Sequence, residues 1–219
     1  LEFRRVLFRS FLRVPFGEVS IEDTLEETPW IEEITPETLQ VEVTEEKPFT
    51  CVAMIDASSS MSGDKHLLAS IAVAVLLFEI QTRDASVIVF SSKAQVIKKL
   101  SAEEAIQSTV LNFLKCQPRG FTNIASGLSE GLNQFQHFGA GKKRIGLIAT
   151  DGRTTEGGDP GEVAKKFDFL VVLHLHGPGS HLESSQALAA QGNGICLEVE
   201  TFEQLPKKIY DAVRVLARR

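Results

Sequence analysis

Short apolar segments alternate with longer helical patterns from residue 49 to the end of the chain. The first of them, at residues 51–55 (CVAMI), contains no charged or hydroxyl side chain. A strand that is apolar along its whole length is covered on both faces, as in a parallel sheet between two layers of helices. Similar segments follow at residues 87–90, 145–149, 169–175 and 195–199. This alternation predicts an α/β fold with a doubly wound, mostly parallel sheet and helices on both faces.

Six helical patterns are predicted, five of them between strands and one after the last strand. Residues 65–80 are so apolar that this helix must be mostly buried. In residues 124–138 the apolar side chains recur on one helical face. The other helices are predicted at residues 102–114, 161–167, 182–191 and 202–217.

The third strand of the predicted sheet differs from the others in its connection. Only residues 91–93 separate the second strand from the third, at residues 94–100. A parallel crossover needs about a dozen residues, so the third strand must run antiparallel to its neighbour. Lys93, Lys98 and Lys99 suit an exposed edge strand that resists pairing with other chains. The prediction is therefore a six-stranded sheet with one antiparallel edge strand.

Composition and charge exclude several classes of protein. Hydrophobic residues make up 43% of the 219 residues and charged residues 24%, the balance of a soluble folded domain. No segment approaches the ~20 apolar residues that a membrane-spanning helix needs. The chain has 23 Lys and Arg against 29 Asp and Glu, a net charge of -6, which argues against a dedicated nucleic-acid binder.

Cysteine content favours a reducing cytoplasm. The three residues Cys51, Cys116 and Cys196 cannot all pair, whereas secreted domains more often carry an even set. The sequence also has no N-x-[ST] glycosylation sequon. We therefore expect a cytoplasmic protein.

The first 46 residues differ from the rest. Residues 1–10 (LEFRRVLFRS) lack an initiator Met, so we interpret them as a cloning or assembly scar and expect the natural protein to begin further upstream. Residues 11–46 are an acidic N-terminal arm, with eleven acidic residues and no Lys or Arg from residue 18 to residue 46. The arm is either a solvated surface segment, held in place by Trp30 and its apolar neighbours, or an acidic docking segment for a basic partner. Residues 47–219 form the folded domain.

Three polar segments lie where predicted strands end or a helix begins. Residues 56–63 (DASSSMSG) directly follow the first strand, residues 120–124 (GFTNI) open a helix, and Asp151-Gly152 follow the fourth strand. In doubly wound sheets, ligands bind beyond the carboxyl ends of the strands. The three segments are therefore predicted to form one site.

The candidate ligands in these segments all offer oxygen. Asp56 and Asp151 supply carboxylates, whereas Ser58, Ser60 and Thr122 supply hydroxyls. Ser58 and Ser60 are two residues apart, so in an extended turn their hydroxyls point the same way. Hard oxygen donors without a thiolate or an imidazole suit Mg²⁺, Mn²⁺ or Ca²⁺ and disfavour structural zinc.

The three segments together resemble the metal-ion-dependent adhesion site of von Willebrand factor A (vWA) domains. The resemblance is carried by D-x-S-x-S at residues 56–60, by the Thr of a G-x-T-N loop and by Asp151-Gly152, and it covers residues 49–219, strand order included. It implies that two serines and a threonine bind the metal directly, that the two aspartates act largely through water, and that a partner's carboxylate takes the sixth position. These metal-site residues are Asp56, Ser58, Ser60, Thr122 and Asp151.

Two positions depart from the pattern of that family. Ser59 replaces the usual Gly of D-x-S-G-S, and Phe121 replaces the second Gly of the usual G-G-T loop. Neither change removes a ligand. Phe121 places a large apolar ring beside the metal.

The acidic lead-in carries a second, narrower resemblance. With ITPETL at residues 34–39, it is similar to bacterial and archaeal proteins whose C-terminal A domain works beside a MoxR-type or magnesium-chelatase-type AAA+ ATPase. The two resemblances imply a protein–protein interaction module that is not an enzyme, an accessory subunit of such an ATPase complex. It would bind an acidic residue of its partner through Mg²⁺, or through Mn²⁺ or Ca²⁺. The alternative is a metal-assisted phosphatase or hydrolase that uses Asp56 or Asp151.

Three further motifs are less specific. Residues 127–131 fit the hydrolase pattern G-x-S-x-G but fall within a predicted helix, not on a turn after a strand. Residues 139–143 (GAGKK) lack the spacing of a phosphate-binding loop and resemble a helix end. His174, His176 and His181 could bind zinc, although such residues more often line a strand end without metal.

Overall fold

The computed structural model describes residues 18–19, 41–42, 49–79, 84–136, 142–201 and 203–217. The chain divides into two units, Leu1–Glu46 and Lys47–Arg219. In the first unit, the short strands β1 (Glu18–Val19) and β2 (Val41–Glu42) pair antiparallel. Residues 1–10, Trp30 and the glycines of the GAGKK motif lie outside the described residues, so the interpretations of those segments stay predictions.

The second unit contains a six-stranded sheet. Its strands are β3 (Phe49–Asp56), β4 (Ala85–Phe90), β5 (Ala94–Lys98), β6 (Lys143–Thr150), β7 (Phe169–Leu175) and β8 (Ile195–Val199). They lie in the order β5-β4-β3-β6-β7-β8, and every neighbouring pair is parallel except β4 with β5. The predicted doubly wound α/β fold with one antiparallel edge strand is confirmed.

Helices cover both faces of this sheet because its central strands are apolar on both faces. Cys51 and Ile55 of β3 belong to the core on one face, together with α1, α2 and α6, whereas Val52 and Met54 belong to the core on the other face, with α3, α4 and α5. No helix within the described ranges has both the length and the apolar character needed to cross a membrane. The helices are α1 (Asp64–Glu79), α2 (Ile106–Leu114), α3 (Ile124–Phe135), α4 (Pro160–Ala164), α5 (Leu182–Gln191) and α6 (Gln204–Ala217).

Helix α2 begins later than predicted, and helix α4 ends earlier. α2 begins at Ile106 instead of residue 102, because Ser101 has a positive φ of 67° and Ala105 is extended at φ −63° and ψ 138°. α4 ends at Ala164 instead of residue 167. The amide of Phe167 donates a hydrogen bond to the carbonyl of Ala164, three residues earlier. A bond of this spacing forms a 3₁₀ turn, which is tighter than a turn of α-helix.

Lys98 corrects the interpretation of the edge strand. The prediction of an exposed side chain is wrong for this residue, which is fully buried at the end of β5. Its Nζ donates to the carbonyl of Ala85 at 2.7 Å and to that of Lys99 at 3.2 Å. A buried ammonium needs such acceptors to offset the loss of water, and burial lowers its pKa.

The order of the strands determines where a site can form. The chain passes from β3 to β4 on one side and later returns to β6 on the other side of β3. This reversal is a topological switch point, the usual place for a ligand in such sheets. Because β3 and β6 are parallel neighbours, the loops after Asp56 and Thr150 leave the same edge of the sheet.

Candidate metal centre

Asp56 is the last residue of β3, and its carboxylate is fully buried. One oxygen, Oδ1, accepts a 2.9 Å hydrogen bond from the amide of Ser58, and Oδ2 accepts a 2.8 Å bond from the hydroxyl of Thr150. Burial raises the pKa of Asp56 to about 6, because it removes water from the charged form. The bonds from Ser58 and Thr150 oppose this shift, and the charge of Asp151 adds to it.

The two serines of the first segment have converging hydroxyls. Ser58 precedes a single 3₁₀ turn at Ser59–Met61 and is buried, whereas Ser60 is half-buried. Their Oγ atoms lie 3.2 Å apart. The spacing of two residues therefore brings both hydroxyls to one side of the turn, next to the Asp56 carboxylate that the Ser58 amide holds.

Hydrogen bonds join the second segment to the first. The amide and the hydroxyl of Ser59 both donate to the carbonyl of Gly120, at 3.3 and 3.1 Å. Ser59, which stands where a vWA domain usually has Gly, has no positive φ, so the turn tolerates a side chain there. The hydroxyl of that side chain makes one of these contacts.

Thr122 joins the second segment to the third. Its side chain is buried, and its amide donates a 2.8 Å hydrogen bond to the hydroxyl of Thr155. Its carbonyl accepts from the amides of Thr155 and Glu156. The next residue, Asn123, accepts from the amide of Ser126 at 2.9 Å and so caps α3. Thr122 is thus fixed between a helix start and the loop after β6.

Asp151 has a fully buried carboxylate with a cationic neighbour. Its Oδ2 accepts a 2.9 Å bond from the Nζ of Lys65, and its Oδ1 accepts from the amide of Arg153 at 3.2 Å. The following residue, Gly152, has a φ of +80°, and a Cβ there would overlap the carbonyl oxygen of His181. A side chain at position 152 is therefore excluded by both backbone conformation and space.

The donors in these three segments fit a hard divalent cation. They comprise two buried carboxylates and three hydroxyls, all oxygen. No group of three His, Cys, Asp or Glu side chains that could hold a metal occurs in the part of the chain that the structure describes. A cation here would accordingly depend on hydroxyls and water for most of its ligands.

The histidine motif does not assemble into a zinc centre among the described residues. His174 is buried, and its Nδ1 lies 2.9 Å from the hydroxyl of Ser185. The ring of His176 packs edge-on against it at 4.9 Å and lies 3.2 Å from Glu198. His181 is the residue before α5. His174 and His176 thus line the end of β7, as the more common interpretation predicts, whereas His181 lies at the start of a helix.

The hydrolase-like motif is confirmed as helical, since Ser129 lies inside α3. Gly127 packs against the ring of Phe90, where a Cβ would lie only 2.6 Å from a ring carbon. That glycine permits close helix–sheet packing, and no strand-to-helix turn presents the serine.

Sequence reasoning missed three residues of the centre: Lys65, Thr150 and Thr155. Thr150 was included in no segment although it directly precedes Asp151, and its position at the end of β6 was the available signal. Lys65 stands at the start of an apolar helix, 86 residues from its partner, so no local pattern connects the two.

Comparison with known proteins identifies the family. The model of the von Willebrand factor type A domain matches residues 51–211. The chain belongs to this family. The sequence-based prediction of a vWA domain is therefore confirmed, and the match spans every strand of the six-stranded sheet except the first two residues of β3. No curated protein matches the sequence.

Solved structures of vWA proteins share the fold. BatB from Bacteroides thetaiotaomicron is 20% identical with a TM-score of 0.68, over 78% of this chain and 100% of that one. Proximal thread matrix protein 1 of the mussel byssus, solved with zinc in its MIDAS motif, is 19% identical with a TM-score of 0.64, over 78% of this chain and 48% of that one. The pilus adhesin SpaC from Lactobacillus rhamnosus GG is 16% identical with a TM-score of 0.63, over 78% and 30%. At these identities the likeness concerns the fold.

Proposed function

We propose that this vWA domain binds a protein partner through a divalent cation that an acidic side chain of the partner completes. Hydrogen bonds that tie the three loops into one unit carry this proposal: Ser59 to Gly120, Thr122 to Thr155, and Thr150 to Asp56. The cation would be held by Asp56, Ser58, Ser60, Thr122 and Asp151.

The bound cation would supply an electrophile with an exchangeable water. In the vWA pattern, the neutral hydroxyls of Ser58, Ser60 and Thr122 bind directly, so the protein quenches little of the ion's charge. The buried carboxylates of Asp56 and Asp151 would orient the water around the cation. A carboxylate of the partner would then gain a charge-assisted bond to the cation.

Phe121 gives the site an apolar border. Its side chain is 64% exposed, although the adjacent Thr122 is buried. An exposed aromatic ring beside a polar anchor is typical of residues that dominate binding energy once a partner covers them. We propose that the partner places an apolar residue next to its acidic one.

Mg²⁺ is the proposed ion, with Mn²⁺ and Ca²⁺ as alternatives. The mussel-byssus relative holds zinc in its MIDAS motif. In the present domain the donors are all oxygen, a set that favours Mg²⁺ over zinc at cellular sites of this type. Because only two ligands carry charge, we expect weak binding, with a Kd on the order of 10⁻⁴ to 10⁻³ M.

The proposed partner is an AAA+ ATPase of the MoxR or magnesium-chelatase type. This part rests on the sequence resemblance of the acidic lead-in at residues 34–39. A reducing cytoplasm is proposed because Cys51, Cys116 and Cys196 are all free thiols.

A binding role is favoured over a phosphatase or hydrolase by the state of the two carboxylates. Both are buried, and each of their four oxygens already accepts a hydrogen bond from the chain. Each oxygen keeps one further lone pair, which can hold a metal-bound water in place. A phosphatase or hydrolase would also need a general base or a nucleophile–base pair, and the three segments contain no His or Cys that could complete one. Asp56 and Asp151 therefore suit an anchoring role better than a chemical one.

The test measures Mg²⁺ and partner binding with the full chain. Calorimetry should detect Mg²⁺ with the wild type and with Thr109→Ala, whose threonine is equally buried but lies on α2. Thr122→Ala should remain folded and lose binding. In parallel, a purified MoxR-type ATPase should bind the wild type with Mg²⁺ and not with EDTA.

The enzyme alternative is tested in the same samples. Turnover of p-nitrophenyl phosphate that requires Mg²⁺ and disappears in Asp56→Asn would contradict the binding role. Partner binding that survives both EDTA and Thr122→Ala would place the interface on another face of the domain.

A further inference from the structure

Lys65 lies in the first turn of α1 and reaches across to the site from outside the three loops. Its Nζ is 2.9 Å from Oδ2 of Asp151, and the two side chains are 10% and 0% exposed. Its aliphatic end packs against Gly177, where a Cβ would overlap the Cε of Lys65. The fold thus clears space for an ammonium group next to the proposed metal centre.

The two carboxylates of the centre differ in the charge of their hydrogen-bond donors. Asp151 has this cationic partner, whereas Asp56 accepts, within the described part of the chain, from the neutral donors Ser58 and Thr150. With both carboxylates ionised, the lysine leaves one net negative charge in the buried centre. Removing the lysine would leave two.

We propose that Lys65 is a built-in counter-charge with two effects. It lowers the affinity of the centre for a divalent cation alone, and it raises the affinity of the cation-bound centre for an acidic ligand. This inference rests on the proposed metal site. A divalent cation brings the centre with Lys65 to one net positive charge, and a ligand carboxylate then neutralises it. Without Lys65 the cation alone neutralises the centre, and a ligand carboxylate adds an uncompensated negative charge.

The counter-charge makes metal and ligand binding cooperative. Each of them is favoured by the charge that the other brings, and such coupling acts equally in both directions. A domain of this kind stays weakly loaded in the absence of its partner and becomes fully loaded in the complex. Lys65 is a positioning residue here, since it acts on the ion through Asp151.

A purely structural ion pair would behave differently. Breaking a buried pair costs stability because it leaves one charge uncompensated. A structural role therefore predicts that losing Lys65 destabilises the fold without tightening metal binding. The proposed role predicts tighter metal binding, and it predicts that metal restores much of the stability lost in EDTA.

The experiment titrates Mn²⁺ into the full chain by calorimetry, with thermal unfolding in Mn²⁺ and in EDTA. Lys65→Met removes the charge, Lys65→Gln removes the charge but keeps a hydrogen-bond donor, and Lys65→Arg keeps the charge. Lys142→Met is the control for removing a paired lysine elsewhere, because Lys142 pairs with Asp84 at 2.8 Å just before β6 and β4, at the opposite ends of the strands from the site. We expect Lys65→Met and Lys65→Gln to bind Mn²⁺ about tenfold more tightly or better, and Lys65→Arg and Lys142→Met to bind like the wild type.

Acetate tests the ligand half of the proposal. At constant ionic strength, replacing chloride with acetate should raise the Mn²⁺ affinity of the wild type more than that of Lys65→Gln. An equal gain in both proteins would overturn the coupling.

The outcomes separate the two proposals. Wild type that binds Mn²⁺ while folded Lys65→Gln binds equally or more weakly overturns the role of Lys65 and leaves the metal site intact. Absence of Mn²⁺ binding in the wild type and in both charge-removing variants overturns the metal site as well. If Lys65→Met does not fold, Lys65→Gln decides by the same criterion.

Discussion

The hydroxyl of Thr150 donates a 2.8 Å hydrogen bond to the carboxylate of Asp56, a contact between residues 94 positions apart in the chain. It joins the ends of the two central strands at the switch point of the sheet. The same hydroxyl accepts a 3.2 Å bond from the amide of Gly152. One side chain thus orients a proposed ligand of the metal and the loop that carries another.

Replacing Thr150 with Val keeps the shape of the side chain and removes its hydroxyl. A hydrogen bond to a buried charged group contributes about 1.5–3 kcal/mol, so we expect a loss of stability in that range and weaker Mg²⁺ binding. Urea unfolding and calorimetry measure the two effects. Thr109→Val is the control, because the Thr109 hydroxyl makes only a 3.4 Å bond, and it should cost less than about 1 kcal/mol. Equal losses in the two variants would contradict the role of Thr150.

Metal binding should depend on pH through Asp56. The pKa of its carboxyl is raised to about 6 by burial, so a proton competes with the metal below that value. We expect Mg²⁺ affinity to be constant above about pH 7 and to fall about tenfold per pH unit well below pH 6. Calorimetry from pH 5 to pH 8 tests this expectation. A flat profile would mean that Asp56 stays ionised throughout.

The metal-free protein should respond to pH in the opposite sense. A carboxyl whose pKa is raised on folding stabilises the fold below its unfolded value of 3.8, and this contribution is lost as the pH rises through about 6. The full loss amounts to about 3 kcal/mol. In EDTA, the stability difference between wild type and Asp56→Asn should therefore shift against the wild type as pH rises from 4 to about 7. Chemical denaturation of both proteins in EDTA measures that difference, and a constant difference would contradict the shift.

Two adjacent glycines offer a matched test of the loop after β6. Gly157 has a φ of +98°, and a Cβ there would overlap the Oδ1 atom with which Asn123 caps α3. Gly158 has open space around it. We expect Gly157→Ala to cost about 1–3 kcal/mol and to weaken Mg²⁺ binding by displacing the neighbour of Thr122. Gly158→Ala should change stability by less than about 0.5 kcal/mol. Similar behaviour of the two variants would show that the loop relaxes freely.

Phe121 should matter to the partner and not to the fold. Phe121→Ala removes an exposed ring, so unfolding and Mg²⁺ affinity should change little, while partner affinity should fall about tenfold or more. Phe78→Ala is the control, since Phe78 is 80% exposed near the far end of α1. Surface plasmon resonance with a purified MoxR-type ATPase compares them. Unchanged affinity for Phe121→Ala would exclude the ring from the interface.

The fold could be predicted because its signals are local. The apolar segment at residues 51–55 is sufficient to indicate a buried strand. The three-residue connection before β5 is sufficient to indicate that this strand runs antiparallel to β4. The start of α2 could not be predicted, because residues 102–105 have helix-compatible side chains and only the backbone at Ser101 and Ala105 excludes the helix. The burial of Lys98 also gave no signal, since its carbonyl acceptors belong to the backbone and leave no trace in the sequence.

The candidate site divides in the same way. Its five proposed ligands lie in short motifs with a recognisable spacing. Lys65 contacts Asp151, which is 86 residues away in the sequence. Thr155 contacts Thr122, which is 33 residues away. Such partners become visible only when the tertiary structure brings them together.

The long separation between Asp56 and Thr150 has a consequence for the order of folding. The centre is formed by residues 56, 122 and 151, which are far apart in the sequence. It is therefore incomplete until β6, which precedes residue 151, has paired with β3. Closing so large a loop is slow, and it must occur before a bound ion can stabilise the fold. A cation that binds only the finished centre would therefore slow unfolding and leave the folding rate nearly unchanged. A bound cation would therefore mark a domain in which β6 has paired with β3, and a partner that binds the cation would engage only fully folded domains.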